Sequence, residues 1–472
     1  MGGMGIDAGF GTSFSSRFIA QVKFEGVHLP IITLAYAAAI LRKAGHEVHV
    51  IDQARQDSEQ PEVLAEVTAL KPDWVVAATS FAYIRAELQY LAAASRACGC
   101  KRLVFGATAC HFASDIMALG LADVIAHGDP EVAIGHLAQG TLAPGLSGVL
   151  MAQAGSSPPV LHAAAPGFVQ ALDTVPWPDW NGFEIQRYGY FPLLKRRPFL
   201  TMLASRGCPY ACSFCPYPVA QGAPFRGRSV KDVVAEASFL LKTHGIRSIL
   251  FRDPTFSMDI GRAKDLARGL RDAHLDLDWG METRLDRLDD ELIDLLGESG
   301  CKSVNFGVDP IDEATREASH RRACPPDVAA ARIARLERRG IATAGLFVIG
   351  LPNQSEDEMR RTIEWIDTLE MSFVNYELAT PFPGTPLYDQ AITQGWTQAL
   401  TLQQLLAGAP KLQFNGAMGL AQMKALQDQA FRRFYAKPRR VVKDLILRQF
   451  FTNVRFFSRS ALRFALRELR AA

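Results

Sequence analysis

The 472-residue chain has no apolar run that reaches the roughly 18–20 residues a membrane-spanning helix needs, because charged or polar side chains interrupt every hydrophobic stretch. It has no overall surplus of charge either: 51 Lys and Arg face 49 Asp and Glu, a formal +2. Neither that balance nor any recognition module points to a nucleic-acid partner, so none is expected. A disulfide framework is also missing. Of the eight cysteines, Cys98, Cys100, Cys110, Cys301 and Cys324 are scattered at unmatched spacings. With no signal peptide before them, ordinary free thiols in a reducing cytoplasm are expected. The composition that remains, 48% hydrophobic and 21% charged, is that of a globular protein long enough for two or three domains.

The other three cysteines stand close together in Cys208-Pro-Tyr-Ala-Cys212-Ser-Phe-Cys215, just after an apolar, strand-like run. A structural zinc site needs four closed ligands, and the flanks offer neither a fourth cysteine nor a histidine. Three thiolates on one loop suit three corners of a [4Fe-4S] cluster, which normally takes four cysteines. One iron is then left open for a ligand that is not protein. The C-x3-C-x2-C spacing and its setting resemble the radical S-adenosylmethionine (SAM) superfamily. The resemblance implies that the open iron binds the amino acid end of SAM, and that the reduced cluster splits SAM into methionine and a 5′-deoxyadenosyl radical.

The fold class expected is α/β, in four parts. Residues 1–140 alternate strands and helices, with strands predicted at His46–Asp52, Asp73–Ser80, Lys101–Thr108 and Ala122–Gly128, and a helix over Thr33–Ala44 that stops at Gly45. Such alternation predicts a doubly wound, flavodoxin-like sheet. The phrase LAYAAAILRKAGHEVHVID resembles the first helix and second strand of cobalamin-binding domains fused to radical SAM cores. VFGATACHF and ADVIAHGDPE resemble their phosphate- and corrin-facing loops. The resemblance implies cobalamin as a further cofactor, and the lack of an Asp-x-His-x-x-Gly motif implies no protein histidine on its cobalt. Residues 1–16, rich in Gly and Ser, hold no apolar run able to make the first central strand, and Phe18–Phe24 is a partial candidate only. The preferred expectation is a start placed too late; the alternative is a damaged domain.

Residues 141–196 read as a Gly/Pro/Ala-rich linker pinned by Trp177 and Trp180. Residues 197–396 repeat a strand-then-helix rhythm six times, with strands predicted at Phe199–Ser205, Ser248–Asp253, Leu277–Thr283, Ser303–Val308, Thr343–Gly350 and Phe373–Ala379. Six units predict a partial (β/α)6 barrel with its chemistry at the carboxyl ends of the strands, where the cysteine loop falls. Residues 397–472 read as a helical extension. Its last part, Phe431–Ala472, carries twelve Lys and Arg against two acidic residues. A helix packed on the barrel is the preferred reading, and contact with an anionic membrane surface the alternative.

The resemblance also assigns further residues, each with a plainer structural reading beside it. Phe214 would pack near the SAM adenine, or simply fill the loop. Gly207 would allow a tight turn, and Arg206 is open between a structural and a functional role. Asp253 would accept from the methionine ammonium, or cap a turn. Arg284 would hold the SAM carboxylate bidentately, with Glu282 beside it, or the two would form an internal salt bridge. Asp309 stands where relatives carry glutamate and would reach a ribose hydroxyl, although the neighbouring Pro310 offers no donor. Gly345 and Gly350 would let strand backbone approach the base, or mark a bulge. Thr380–Tyr388 would wall the substrate mouth. No catalytic side chain is singled out. The activity implied is cobalamin-dependent methylation of an unactivated carbon, on a small-molecule or lipid-like substrate, with an electron donor such as flavodoxin or ferredoxin. A cyclase or rearrangement enzyme without methyl transfer, and a cofactor-binding protein without turnover, are the alternatives.

Overall fold

A computed structural model of the chain describes residues 27–52, 60–81, 83–152, 165–307, 311–322, 324–407, 418–435 and 437. Its N-terminal unit holds a sheet of β1 (Trp74–Ala78), β2 (Lys101–Phe105), β3 (Val124–Ala126) and β4 (Val149–Leu150), adjacent in that order. The first three are parallel, and β4 turns back antiparallel on β3. Three of the four predicted strands are therefore present in shortened form. The predicted Lys101–Thr108 stops early because Gly106, at φ +122°, turns the backbone against the Thr79 carbonyl, where a Cβ would overlap. A short helix, Ala107–His111, begins there.

His46–Asp52 is not a strand, which corrects the sequence expectation. In a doubly wound sheet of flavodoxin type, the opening strand lies between that segment and β1. No strand filling that place occurs among the described residues, so His46–Asp52 has no ladder to join. Asp52 instead accepts from the Glu184 backbone N–H at 2.9 Å and from the Tyr188 hydroxyl. The helix Ile32–Lys43 forms as expected and stops before Gly45 (φ +90°), with Ile32, Ala35 and Tyr36 buried. The candidate strand Phe18–Phe24 lies outside the described residues.

The linker crosses to the second unit on two tryptophans. Trp177 donates its indole N–H to Asp232 at 2.9 Å, and Trp180 is sealed in the core. The second unit is a six-stranded, wholly parallel sheet of β5 (Phe199–Met202), β6 (Ser248–Phe251), β7 (Asp278–Thr283), β8 (Cys301–Gly307), β9 (Ala342–Ile349) and β10 (Phe373–Leu378), laid side by side in chain order. All six coincide with predicted strands. The helices between them follow local rules. Ile260–Asp272 buries Ala263, Leu266, Ala267 and Leu270 on one stripe. Glu356–Thr368 starts at a reciprocal Ser355–Glu358 capping box.

Two later helices complete the packing. Leu402–Leu406 returns to the N-terminal unit and adds Leu402 and Leu405 to the core around Ile84, Leu88 and Phe112. Leu420–Tyr435 lies against β10, where the Tyr435 hydroxyl accepts from the Val374 N–H (3.1 Å) and donates to its carbonyl (2.8 Å). Arg433 and Lys437 both reach Asp367, at 3.0 and 2.6 Å. The start of the basic tail thus packs on the sheet, and the rest of it lies outside the described residues. Among the described residues, no helix is long and apolar enough to cross a membrane.

Candidate functional site

The cysteine loop leaves the carboxyl end of β5 and is tied at its base by a two-stranded ribbon, Ser205–Arg206 against Arg226–Gly227. Gly207 opens the loop at φ +81°, with its α-carbon so close to the Pro224 carbonyl that any Cβ would overlap it. The loop is held from within by the Cys208 N–H on Gly222 O (3.2 Å) and the Cys215 N–H on Cys212 O (3.1 Å). All three cysteines are free thiols; Cys208 and Cys212 are buried, and Cys215 is half-buried. Burial pushes the Cys215 thiol up to about 12, with Cys212 and Cys208 as further raising neighbours. Burial raises Cys208 also, again with Cys212 beside it. Three thiols on a single loop are a donor set for thiophilic metal, and a bound cation inverts the preference for the protonated form. Among the described residues, no three His, Cys, Asp or Glu converge as ligands of a single ion.

Around the loop, ring and guanidinium groups alternate. Tyr210, between the first two cysteines, lies under Arg284 at 4.3 Å and accepts from Arg287 at 2.7 Å. Phe214 lies under Arg321 at 5.4 Å and packs toward Leu351, Ala379 and Leu387. Burial lowers the pKa of Arg321, while Cys212 and Cys215 oppose that shift, so a cation sits within electrostatic reach of the cysteines. Tyr217, two residues past Cys215, donates to Glu282 at 3.1 Å, and Glu282 is paired with Arg252 at 2.6 Å.

The expected internal pair of Glu282 and Arg284 does not form. Arg284 turns instead to Asp286 at 2.9 Å and to the Arg322 carbonyl. Burial works against its charge, and the Asp286 contact outweighs it, leaving the guanidinium more firmly protonated than usual. Asp253 has no exposed surface: its oxygens accept from the Ala204 N–H at 2.8 Å and the Ser205 hydroxyl at 2.5 Å. Burial lifts its carboxyl to about 6 despite those bonds. At Gly345 a Cβ would lie 2.6 Å from the Phe347 ring and 2.8 Å from the Met371 sulfur, so any larger residue would have to push those side chains aside. Gly350, at φ +78°, gives its N–H to Gln354 at 2.9 Å. Asp309 lies outside the described residues. The structure thus brings Phe214, Glu282 and Arg284 to the cysteine loop's surroundings, and places Asp253 in the strand wall. Sequence reasoning missed Tyr210, Tyr217, Arg252 and Arg321. Aromatic residues inside and just after the loop were the signal for the first two.

The segment Thr380–Tyr388 meets the N-terminal unit. Phe382 packs edge-on to Phe81 (5.7 Å), and Tyr388 edge-on to His111 (5.5 Å). The carboxyl ends of both sheets therefore face a common region.

Residues 202–366 match the radical SAM superfamily. The chain is 26% identical over 93% of its length to an uncharacterized methyltransferase of Pyrococcus horikoshii, of which it covers 94%. It is 24% identical to the anaerobic magnesium-protoporphyrin IX monomethyl ester cyclase of Rubrivivax gelatinosus, over 76% of this chain and 66% of that one. Its fold matches that of TsrM from Kitasatospora setae, a radical SAM methyltransferase solved with cobalamin and a [4Fe-4S] cluster bound. The TM-score is 0.67 at 20% identity, over 78% of this chain and 75% of that one.

Proposed function

We propose that this chain is a radical SAM enzyme that transfers a methyl group, with cobalamin as methyl carrier, to an unactivated carbon of a small molecule. The observation that carries the reading is the trio of free thiols on one loop at the carboxyl end of β5. Cys208, Cys212 and Cys215 would hold three irons of a [4Fe-4S] cluster, which would leave the fourth for the amino acid end of SAM. When bound and reduced, this pair supplies a carbon-centred radical strong enough to abstract hydrogen, and cobalamin supplies the methyl group.

The chain's own residues orient and enclose. Arg284, fixed by Asp286 and stacked on Tyr210, presents a guanidinium for the SAM carboxylate. Phe214 packs against the adenine. Gly345–Gly350 supply strand backbone to the same base, and the ribose contact is assigned to Asp309, which lies outside the described residues. Glu282, braced by Arg252 and Tyr217, holds charge balance next to the loop. Asp253 positions the backbone at Ala204 and Ser205 and reaches the SAM ammonium only if Ser205 yields. We assign residues 1–140 to cobalamin, 141–196 to the linker, 197–396 to the partial barrel and 397–472 to a helical extension. A flavodoxin- or ferredoxin-type donor in the cytoplasm would supply the electron that reduces the cluster before SAM is cleaved, and the protein's own task is to keep water from the radical that follows. The basic tail is the part suited to a membrane surface.

Anaerobic reconstitution tests this. Cluster absorption, release of 5′-deoxyadenosine, bound cobalamin and labelled methyl passing from SAM to product are expected together. Cluster uptake and 5′-deoxyadenosine release without cobalamin or methyl transfer would favour the second reading, an oxidative cyclase, which the likeness to the Rubrivivax gelatinosus enzyme supports. No cluster in the wild-type chain would end both.

A further inference from the structure

Arg206 directly precedes Gly207-Cys208, and both its terminal nitrogens are gripped by the other unit. They donate to Glu131 at 2.9 and 2.7 Å, and one lies 3.4 Å from Asp129. The guanidinium also lies over the ring of Tyr36 at 5.1 Å. Its ribbon partner Arg226, on the far side of the cysteine loop, binds Asp129 at 2.5 Å and donates to the Val169 and Gln221 carbonyls. Arg206, Arg226, Asp129, Glu131 and Tyr36 are each no more than 6% exposed. Two buried cations at the two ends of one loop thus meet two buried anions that both sit at the start of the helix Pro130–Ala138. Gln221 then links the set back to the loop, accepting from the Gly207 N–H at 3.3 Å.

The placement is unexpected from the sequence. Tyr36 belongs to the LAYAAAILRKAG phrase and Asp129 and Glu131 to the HGDPE phrase, both read above as parts of a cofactor-binding sheet. Here their side chains grip the cysteine loop instead. We propose that Tyr36, Asp129 and Glu131 form a guanidinium clamp, which makes the presentation of Cys208 depend on the seating of the N-terminal unit. Glu131 and Asp129 are then positioning residues for the cluster, and whatever shifts the helix Pro130–Ala138 is felt at the loop. The geometry suits this role: a bidentate carboxylate–guanidinium pair fixes direction as well as distance, and removing one partner leaves a buried charge unmatched. The inference rests on the cluster reading only for where the loop's effect is seen.

The test uses the full chain, reconstituted anaerobically with iron and sulfide. Glu131→Gln is expected to reduce the iron retained after gel filtration about tenfold, as outer-shell partners of metal sites do. It is also expected to change the EPR spectrum of the reduced cluster and its response to added SAM. In the metal-free chain, amide hydrogen exchange over residues 207–225 is expected to quicken. Arg42→Gln breaks a different tie of the N-terminal unit, the 2.8 Å pair with Asp179, and is expected to leave all three readouts at the wild-type level. If Glu131→Gln lowers Tm while iron, spectrum and loop exchange stay unchanged, the four charges merely glue two units and the proposal is overturned. Should Glu131→Gln not fold, Arg206→Lys keeps the charge but loses the fork, and wild-type spectrum and exchange in that variant overturn the proposal equally. A wild-type chain that takes up no iron would refute the cluster reading, while the loop-exchange comparison would still decide the clamp.

Discussion

Trp74 and Trp279 stand near the start of a parallel strand in each of the two sheets, and their surroundings differ. Trp279 is 1% exposed, packs against Phe251 and Phe256, and donates its N–H to the Ser299 carbonyl at 2.8 Å. Trp74 opens β1, all five residues of which are only half-buried, and its ring is covered by the Lys101 ammonium at 5.5 Å. Strands of a parallel sheet are normally buried on both faces. Among the described residues, β1 pairs only with β2, which leaves it at an edge. The second sheet is therefore a finished core around its chemistry, while the first owes its stability to its neighbours.

The largest expected effect tests the chemistry of the finished sheet. Cys212→Ala should abolish both the visible absorption of the reconstituted cluster and 5′-deoxyadenosine release. A variant that kept full cluster absorbance would remove Cys212 from the ligand set. Next comes stability. Trp279→Ala should cost about 3–5 kcal/mol and Trp74→Ala about 1 kcal/mol in denaturant melts; equal losses would erase the contrast between the sheets.

A pH series separates the two sheets further. Glu87, near the carboxyl end of β1, accepts from the Ser80 N–H at 2.9 Å, and burial lifts its carboxyl to about 7. A folded-state pKa above the unfolded one means that the favourable contribution is complete below the ordinary carboxylate range and is lost as pH rises through about 7. Glu87→Gln keeps the acceptor and removes the titration. Its stability relative to wild type should therefore rise between about pH 5 and about pH 8, by about 2 kcal/mol after allowance for partial exposure. A difference that stays flat with pH would show a solvated carboxylate. The smallest effect belongs to Ser355→Ala, which breaks the capping box of Glu356–Thr368 and should cost about 1 kcal/mol, read as a small drop in Tm with the cluster spectrum intact.

The six strands of the second sheet were legible because each is an apolar run closed by turn residues and followed by an amphipathic helix. The cysteine loop was legible from spacing alone. Contacts between distant segments were not. Nothing local distinguishes Asp286 from Glu282 as the partner of Arg284, since the choice depends on the direction of the chain after β7. His46–Asp52 carries strand-like residues but lacks a neighbour, and pairing is a property of the sheet, not of the segment. Arg206 looked equally structural or functional because its partners lie some 75 residues upstream.

The return of Leu402–Leu406 to the N-terminal unit has a consequence for how the protein is made. Leu402 and Leu405 fill the same core as Ile84, Leu88 and Phe112, which leave the ribosome about 300 residues earlier. The unit synthesized first is thus the one whose apolar face is covered late, by a non-local closure of the slow kind. During translation its helices present an uncovered hydrophobic surface while the whole six-stranded sheet is still being built. Chaperone demand should therefore fall on the nascent N-terminal unit, and truncation before Leu402 should leave it aggregation-prone even when every residue of its own sheet is present.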